Sequence, residues 1–437
     1  MFNIFKKKEK QDSNSPAKED WASAKEQFEK GEYQNSLATL ISGFKKDIYY
    51  KPLYELSSSC LDKLGGKEES LLFQKAKDNL NSKTFKQLGN HFYNVEHYPL
   101  TRIFLEESFK KIQDIEVANN LAIAYSRRFN TKKAQETLEK VKSKFDFWTF
   151  WFYVKMKILN NDKEDIEQSI QDLESAFDQN SADENLIIPK QKIAELRESY
   201  ERLQMVGNPE QTIRDWQFIQ YGTMILNFFF SEDQYVAGGR HVASWGNNES
   251  IKSILLILSN QIKKKRIESI VYGNDRDSQI IAAVLSSLSN ITNEAYSNTK
   301  IYNNSLMLVS DSTGFNEFKN VEQINNDNIT FSFNHNWLQA NFICPDIIGL
   351  MSQSYSFPWN GGNFKMNDDG STSRTEPDSR SPEIIATEIS ACDLKEESTL
   401  DEFYNSVEHK LKMNQNSGHR YNFMVESPIP GSYFGSN

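Results

Sequence analysis

The sequence predicts an α/β protein in two parts, an all-α helical solenoid followed by a mixed α/β domain with a parallel βαβ unit. Two observations favour the solenoid: apolar residues recur at helical spacing through residues 20–205, and a hairpin-sized pattern repeats at a fixed interval. A third observation favours the α/β domain. After about residue 214, aromatic and β-branched runs alternate with helical segments, an order typical of parallel sheets.

The clearest repeat runs from Lys83 to Phe145 and reads as two helical hairpins. Gly89 and Ala122 stand 33 residues apart, and Leu105 and Leu138 keep the same spacing. In each hairpin the small residue precedes an aromatic residue by three positions on the same helical face, which lets a neighbouring helix approach closely. Because one hairpin cannot bury its apolar face alone, we expect the hairpins to stack.

A fixed period close to 34 residues with this pattern resembles the tetratricopeptide repeat, or TPR. The resemblance implies a stack of helix pairs that serves as a binding scaffold. Further hairpins are expected from Asp20, turning at Gly31, and from Pro52, turning at Gly65. A fifth hairpin is expected from Trp148, and the helix that follows Pro189 is expected to cap the stack.

The domain organisation follows from shifts in composition. Residues 1–19 are rich in Lys, Ser, Asn and Asp, and we predict a disordered leader there. The TPR-like domain with its capping helix is placed at 20–205, and the α/β domain at 211–437, after a Gly-Asn-Pro break. A loop near 360–381, rich in Gly, Asp and Ser, is predicted to be flexible.

The α/β domain is expected to begin with a strand, DWQFIQYGTMILNFFF, because this run is aromatic and β-branched. Strands are also predicted at YVAGGRHVASWG, RIESIVYG, SLMLVS and ITFSFN. Helices are predicted at ESIKSILLILSNQI, with Asn247 as its cap, and at QIIAAVLSSL, PDIIGLMSQSY and SPEIIATEISA.

The distribution of charge argues against nucleic acid as a partner. The formal net charge is −10, and residues 1–178 hold 29 basic and 28 acidic side chains, so the acidic excess belongs to the second part. Since phosphate contacts need a basic surface, nucleic acid is not expected as a partner. The basic runs around Arg127 to Lys133 and Lys263 to Arg266 are interpreted as solvated helix faces.

The cysteines also indicate the cellular compartment that we expect for the protein. Cys60, Cys344 and Cys392 lie far apart, and neither they nor the six histidines have the spacing of a metal site. We therefore expect reduced thiols in a cytoplasmic protein, with no metal and no cofactor. No apolar run has the length of a membrane span.

Two loops of the α/β domain carry candidate ligand-binding residues. Asp275, Arg276 and Asp277 lie between a predicted strand and a helix, where open α/β sheets bind ligands. The structural alternative is that Asp277 or Ser278 caps the helix and that Arg276 pairs with an acidic side chain. The second loop holds Asp311, Thr313 and Gly314 after another strand, and it is distantly similar to the phosphoribosyltransferase loop, in which acidic residues and a Thr-Gly turn bind ribose and phosphate.

A candidate peptide groove lies in the solenoid. Lys86 and Asn90 are four residues apart on one helix, and Asn120 and Arg127 belong to the first helix of the next hairpin. Lys86, Asn90 and Asn120 resemble the positions that clamp a terminal carboxylate in TPR domains that bind chaperone tails. A cation and two amides hold a carboxylate by charge-assisted hydrogen bonds. In the following unit, Trp148 and Phe152 stand where that family has basic residues.

These observations favour a scaffold or adaptor that binds a protein or peptide partner and carries a non-catalytic α/β domain. Two alternatives stay open. One is a nucleotide or sugar-phosphate binding protein or enzyme that uses the loops at 274–278 and 310–314. The other is a co-chaperone-like binder of a C-terminal peptide tail.

Overall fold

A helical unit and an α/β unit make up the protein, as seen in a computed structural model. The structure describes residues 14–176, 184–227, 236–318, 327–338, 341–362, 364–366, 371–394, 399–414, 421–423 and 426–429. Contacts between these residues divide the chain after Asn160. The two-part fold class predicted from the sequence is therefore confirmed.

Nine helices form the described part of the helical unit. They are α1 (Lys18–Glu29), α2 (Tyr33–Lys46), α3 (Lys51–Leu64), α4 (Lys67–Asp78), α5 (Ser82–Asn94), α6 (Tyr98–Phe109), α7 (Ile115–Ser126), α8 (Thr131–Glu139) and α9 (Phe147–Leu159). Consecutive helices pack as the pairs α1/α2, α3/α4, α5/α6 and α7/α8. This succession of short paired helices is a helical repeat.

Local sequence explains where these helices begin and end. The side chains of Asn81, Asp114 and Asp146 each accept a hydrogen bond from a backbone N–H of the helix that follows them. Gly65 ends α3 with a φ of +86°, a left-handed conformation that glycine adopts without steric cost. The three side-chain caps therefore mark where helices begin, and Gly65 marks where α3 ends.

Aromatic side chains build the core of the first hairpins. Phe104 of α6 packs against Phe44, Phe73 and Phe85, with ring centroids 5.5 to 6.3 Å apart. Phe104 and Phe85 are fully buried. The core thus joins the second helix of the first hairpin to the third hairpin.

The α/β unit contains seven described helices and twelve described strands. The helices are α10 (Ile166–Ser175), α11 (Ile187–Val206), α12 (Ile213–Tyr221), α13 (Asn248–Lys264), α14 (Arg276–Ser289), α15 (Pro382–Ala391) and α16 (Glu402–Ser406). The strands are β1 (Met224–Ile225), β2 (Val236–Ala237), β3 (Arg240–Trp245), β4 (Ser269–Tyr272), β5 (Thr292–Ala295), β6 (Ser305–Asp311), β7 (Ile329–His335), β8 (Asn341–Ile343), β9 (Ile347–Ser356), β10 (Phe364–Met366), β11 (Thr372–Arg374) and β12 (Tyr421–Phe423).

The main sheet has the order β2-β3-β9-β7-β6-β4-β5, and β1 also pairs with β9. All of its pairings are parallel except β2 with β3. The connection from β4 through α14 to β5 is a parallel βαβ unit, and β6 pairs on the other side of β4. Strand β5 forms one edge of the sheet, and its side chains are largely exposed. The sequence predicted a parallel unit from RIESIVYG through QIIAAVLSSL to SLMLVS, and these strands, β4 and β6, are parallel neighbours. The strand that directly follows the helix, β5, was not predicted.

The structure corrects the predicted secondary structure of two segments. The run DWQFIQYGTMILNFFF was predicted as a strand, but its first part belongs to the helix Ile213–Tyr221, which the Thr212 side chain caps. Burial of Trp216, Phe218 and Ile219 explains its aromatic, strand-like composition. Within the described part of the run, Met224–Ile225 is a strand, as predicted.

The segment PDIIGLMSQSY was predicted as a helix, but it forms the central strand β9. A strand that is buried on both faces is a continuous apolar run, and its periodicity does not distinguish it from a buried helix. Gly349 allows this strand to lie against β7, because a Cβ atom there would stand 2.4 Å from the Phe333 carbonyl oxygen.

The boundaries of the units differ in places from the predicted domain limits. Residues 1–13 of the predicted leader lie outside the described residues, while Ala17 is fully buried and α1 begins at Lys18. Helices α10 and α11 belong to the unit that starts at Asn161. Of the predicted flexible loop, residues 363 and 367–370 lie outside the described part, and 372–374 pairs with 364–366 as a short hairpin. The boundary at 206–213 stays a prediction.

Among the helices that the structure describes, none is both long and apolar enough to cross a membrane.

Candidate functional site

The two predicted loops of the α/β unit meet at the carboxyl edge of the sheet. Strands β4 and β6 are parallel neighbours, with Ile270 opposite Leu306. Ser310, at the end of β6, donates from its Oγ to Asp275 Oδ1 at 3.0 Å, and its backbone N–H donates to Ser278 Oγ at 2.8 Å. The two loops therefore lie at one edge of the sheet, which is the arrangement that a shared ligand site would need.

Asp275 is the N-cap of α14. Its Oδ1 accepts from the Ser278 N–H at 2.8 Å, and its Oδ2 accepts from Ser278 Oγ at 2.5 Å. With the bond from Ser310, three donors converge on this carboxylate. The sequence offered Asp277 or Ser278 as the cap, but the cap is Asp275, and Ser278 supplies two of the donors to it.

Arg276 and Asp277 hold a later segment of the chain. Arg276 donates from one terminal nitrogen to the carbonyl oxygens of Asp378 and Arg380, at 2.5 and 2.9 Å. Asp277 accepts from the Trp359 indole at 2.7 Å and from Asn360 at 2.9 Å. Both side chains therefore tie the start of α14 to the part of the chain that follows β9.

Asp311 belongs to a second network at the same edge. One of its oxygens accepts from the backbone and hydroxyl of Thr313, at 3.0 and 2.8 Å, and the other accepts from Asn334 at 2.7 Å. Buried Asn334 also accepts from the Ser352 N–H at 3.1 Å, which links β6, β7 and β9. A Cβ atom on Gly314 would stand 3.1 Å from Val309, so this glycine lets the turn pack on β6.

Hydrogen bonds within the chain thus engage every charged side chain that the sequence singled out at this edge. Among the described residues, no group of three His, Cys, Asp or Glu side chains has an arrangement that could hold a metal ion. These hydrogen bonds hold the two loops in place and tie the segment after β9 to the start of α14.

The predicted peptide-groove residues lie on α5 and α7 of the helical unit. Lys86 Nζ contacts Asp114 at 2.9 Å and Glu116 at 2.6 Å, and hydrogen bonding to Glu116 and Asp114 raises the pKa of Lys86. Asn90 donates to Glu116 at 2.7 Å and accepts from Asn120 at 3.2 Å. The structure therefore brings these three side chains together, with two carboxylates of the chain beside the cation.

Arg127 caps the C-terminus of α7 through its backbone N–H, which donates to the Ile123 carbonyl oxygen. Its charge lies near Tyr93, where it opposes the rise in pKa that burial causes. Whether Arg127 takes part in a peptide site with Lys86, Asn90 and Asn120 stays a prediction.

A groove of about 640 Å³ opens elsewhere on the helical unit. We call it the α2/α6 groove, since most of its lining comes from the end of α2, the turn after it, and α6. Its lining residues are Phe44, Lys45, Lys46, Asp47, Ile48, Tyr49, Pro99, Arg102, Ile103, Glu106, Glu107, Lys110 and Arg128. Five cationic, three anionic and several apolar side chains therefore share one concavity.

The acidic side chains of the groove have donors within the chain. Glu107 accepts from the Tyr49 hydroxyl at 2.7 Å and contacts Lys110, and burial together with the Glu107 bond raises the pKa of Tyr49 to about 12. Glu106 accepts from the Tyr125 hydroxyl at 2.7 Å, and Asp47 accepts from Ser15 at 2.7 Å.

Sequence reasoning missed this groove. Arg128 lies in the basic run that was interpreted as a solvated helix face, and Lys45 and Arg102 are far from it in sequence. The signal that would have found the site is the contact between the first and third hairpins. That contact depends on the packing of Phe44 against Phe104, which no repeat spacing predicts.

The sequence matches no known protein-family model, and no curated protein shows significant similarity to it.

Proposed function

We propose that the protein is a non-catalytic adaptor whose TPR-like helical repeat binds a protein or peptide partner in the cytoplasm. The observation that carries this proposal is the α2/α6 groove, which offers both charged and apolar side chains to an extended segment. At the carboxyl edge of the sheet, Asp275, Arg276, Asp277 and Asp311 all have hydrogen-bond partners within the chain, and this supports a non-catalytic role. The buried free thiols of Cys60 and Cys344 are in keeping with a reducing compartment.

A random peptide display library, selected on the immobilised full-length chain, tests the adaptor proposal. We expect selected peptides to lose affinity by about tenfold or more in Ile103→Asp, which places an unpaired carboxylate on the apolar part of the groove. The matched control is Leu71→Asp, because Leu71 is 53% exposed on α4 and does not line the groove.

The peptide selection has a clear negative outcome. If no selected peptide distinguishes Ile103→Asp from Leu71→Asp, the adaptor proposal is wrong. Unfolding midpoints of both variants, measured in parallel, separate a lost groove from a lost fold.

A second candidate function is nucleotide or sugar-phosphate binding at the loops 274–278 and 310–314. The convergence of Asp275 and Ser310 at one sheet edge favours it. The contacts of Arg276 with two carbonyl oxygens count against it, because a phosphate would have to displace them.

A thermal-shift screen separates these two functions. We expect no stabilisation by nucleotides or phosphoribosyl pyrophosphate, with or without Mg²⁺. A ligand at a hundred times its dissociation constant would stabilise the fold by about 2.7 kcal/mol, which such a screen detects. A clear shift that disappears in Arg276→Ala would replace the adaptor proposal by the ligand-binding one.

The co-chaperone alternative concerns Lys86, Asn90 and Asn120. For a peptide terminus to bind there, it would have to compete with Asp114 and Glu116 for Lys86. We therefore expect selected peptides to bind equally well to Lys86→Ala. A loss of binding in that variant, restricted to peptides with a free C-terminus, would favour the tail-binding alternative.

A further inference from the structure

Three cations from separate elements face the α2/α6 groove. Lys45 lies in the last turn of α2, Arg102 lies on α6, and Arg128 follows α7. We call them the basic cluster. Burial, and then repulsion from Arg102 and Arg128, lowers the pKa of Lys45, while burial and repulsion from Arg102 lower the pKa of Arg128 to about 10. The fold thus holds like charges close together.

Two further cations of the groove contact carboxylates. Lys46 contacts Asp20 at 2.6 Å, and Lys110 contacts Glu107 at 2.5 Å. By contrast, Arg102 Nε lies 3.7 Å from Glu106, which is too far for a hydrogen bond, and this buried nitrogen has no hydrogen-bond partner in the described part of the chain. An additional anion in the groove would relieve the repulsion within the basic cluster.

Apolar residues adjoin the basic cluster and form what we call the apolar floor: Phe44, Ile48, Pro99 and Ile103. Phe44 and Ile48 are buried, whereas Ile103 packs against the core and is only partly buried. An apolar side chain of a ligand would cover this surface, and the burial would add to the electrostatic attraction.

We propose that the basic cluster binds the side-chain carboxylate of an extended peptide, while the apolar floor receives a neighbouring apolar side chain of that peptide. This assignment rests on the proposed adaptor function and names its ligand class. The site is distinct from the Lys86 cluster on α5 and α7, which shares no residue with the groove.

The charge balance of the groove favours a carboxylate over a polyanion. Five cations and three carboxylates line it, so the formal surplus is small. Asp47, Glu106 and Glu107 would repel the second charge of a phosphate group and the successive phosphates of a nucleic acid. A single carboxylate reduces the surplus of two positive charges without exceeding it, and it pairs with a guanidinium in the bidentate geometry that arginine prefers.

The experiment measures, by fluorescence anisotropy, how synthetic peptides that carry groove-dependent selected sequences bind to the full-length chain. All peptides have amidated C-termini, so that only side chains supply carboxylates. We expect replacement of the critical Glu or Asp by Gln or Asn to weaken binding about tenfold, the effect of losing one hydrogen bond to a charged group. The Lys45→Ala variant should show a similar loss with the acidic peptide and little loss with the amide peptide.

Lys46→Ala is the matched control. Lys46 lines the same groove next to Lys45, but it already contacts Asp20, so its removal should change affinity less than about threefold. A charge swap gives a second readout: Lys45→Glu should bind the acidic peptide poorly and regain affinity for the same peptide with Lys in place of the acid.

Three outcomes would overturn this assignment. Groove-dependent binding that is indifferent to the Gln or Asn replacement would contradict it and leave the adaptor function standing. Selected peptides that lose binding when their C-termini are amidated, and regain it with a free C-terminal carboxylate, would assign the anion to the chain end. A phosphoserine peptide that binds tenfold tighter than its glutamate counterpart would assign the cluster to phosphate.

Discussion

Gly89 lies where α5 and α6 approach so closely that a Cβ atom built on it would stand 2.3 Å from Leu105 Cδ2 and 3.2 Å from the Leu105 backbone nitrogen. The backbone nitrogen moves only with α6 itself, so even one methyl group must separate the two helices. This is the role that the repeat spacing predicted for a small residue at this position.

We expect Gly89→Ala to lower the free energy of unfolding by about 1–3 kcal/mol, since overpacking at the helix contact outweighs the gain in helix propensity. Ala122→Leu should have a similar cost, because Ala122 is fully buried on α7. Denaturant unfolding measures both. The exposed Ser59→Ala on α3 is the control, and unchanged midpoints in all three variants would show that these contacts are wrong.

His335 is fully buried at the end of β7, and burial lowers its pKa to about 3, against 6.5 for the unburied side chain. Below pH 6.5 the unfolded chain binds a proton that the folded chain does not bind until about pH 3. Stability from this residue is therefore present above the unfolded pKa and is lost as the pH falls, by up to about 1.4 kcal/mol per pH unit.

The prediction for His335 concerns the slope of the unfolding free energy against pH. Between pH 6 and 4, the unfolding free energy of His335→Phe should fall less steeply than that of the parent chain. Burial also lowers the pKa values of His97 and His241, but these contribute equally to both proteins. Equal slopes would contradict the assignment, and replacing the exposed His409 by Phe is the control.

At the scale of elements, the start of α14 organises the carboxyl edge of the sheet. Asp275 caps the helix. The next two residues hold the Trp359 to Arg380 segment by four hydrogen bonds, two from Arg276 and two to Asp277. Segment 371–381 is also held by the pairing of 372–374 with 364–366 and by a hydrogen bond from the Asp378 N–H to the Trp359 carbonyl oxygen. Arg380 contacts Asp378 and Glu388.

Arg276→Ala should release this segment without unfolding the sheet. We expect faster amide hydrogen exchange in peptides covering 371–381 and unchanged exchange in β4 and β6, measured by mass spectrometry. Lys264→Ala is the control, since Lys264 is exposed on α13. Unchanged exchange in 371–381 would mean that Arg276 is not the residue that holds the segment.

The elements also show what sequence alone could and could not predict. Caps and spacing carry local information, so the first four helix pairs, the cap before α13 and the strand and helix β4-α14 were predicted correctly, while β5 was missed. Helix α12 and strand β9 were not, because burial on all sides removes the periodicity that distinguishes helix from strand. The sequence also named both loops of the sheet edge, but which donors occupy Asp277 and Asp311 depends on Trp359 and Asn334, which lie far along the chain.

At the scale of the whole molecule, the division of the chain decides which fragments fold. Arg202 of α11 is buried, and its guanidinium donates to the carbonyl oxygens of Ile219 and Gln220 at 2.9 and 3.2 Å. A cut at 206–213 would separate this buried charge from its acceptors. These contacts lie within the unit that starts at Asn161, and the boundary at 206–213 stays a prediction that fragments can test.

Two fragments test this boundary. A fragment of residues 1–160 should give an almost purely helical circular dichroism spectrum. In a fragment of residues 1–205, hydrogen exchange should show protection in 14–160 and little protection in 187–205. Strong protection of 187–205, or substantial β signal from the shorter fragment, would favour the boundary at 206–213.

The outer strand β5 has a consequence for behaviour at high concentration. A parallel sheet with an open edge offers unpaired backbone groups to the strand of another copy, and this is a route to aggregation. Strand β5 has only four residues, Thr292–Ala295, and Glu294 within it contacts Lys300. Adding a strand from another copy would crowd this charged pair and set two Glu294 carboxylates near each other. The edge that completes the sheet therefore also disfavours polymerisation of the chain through that sheet.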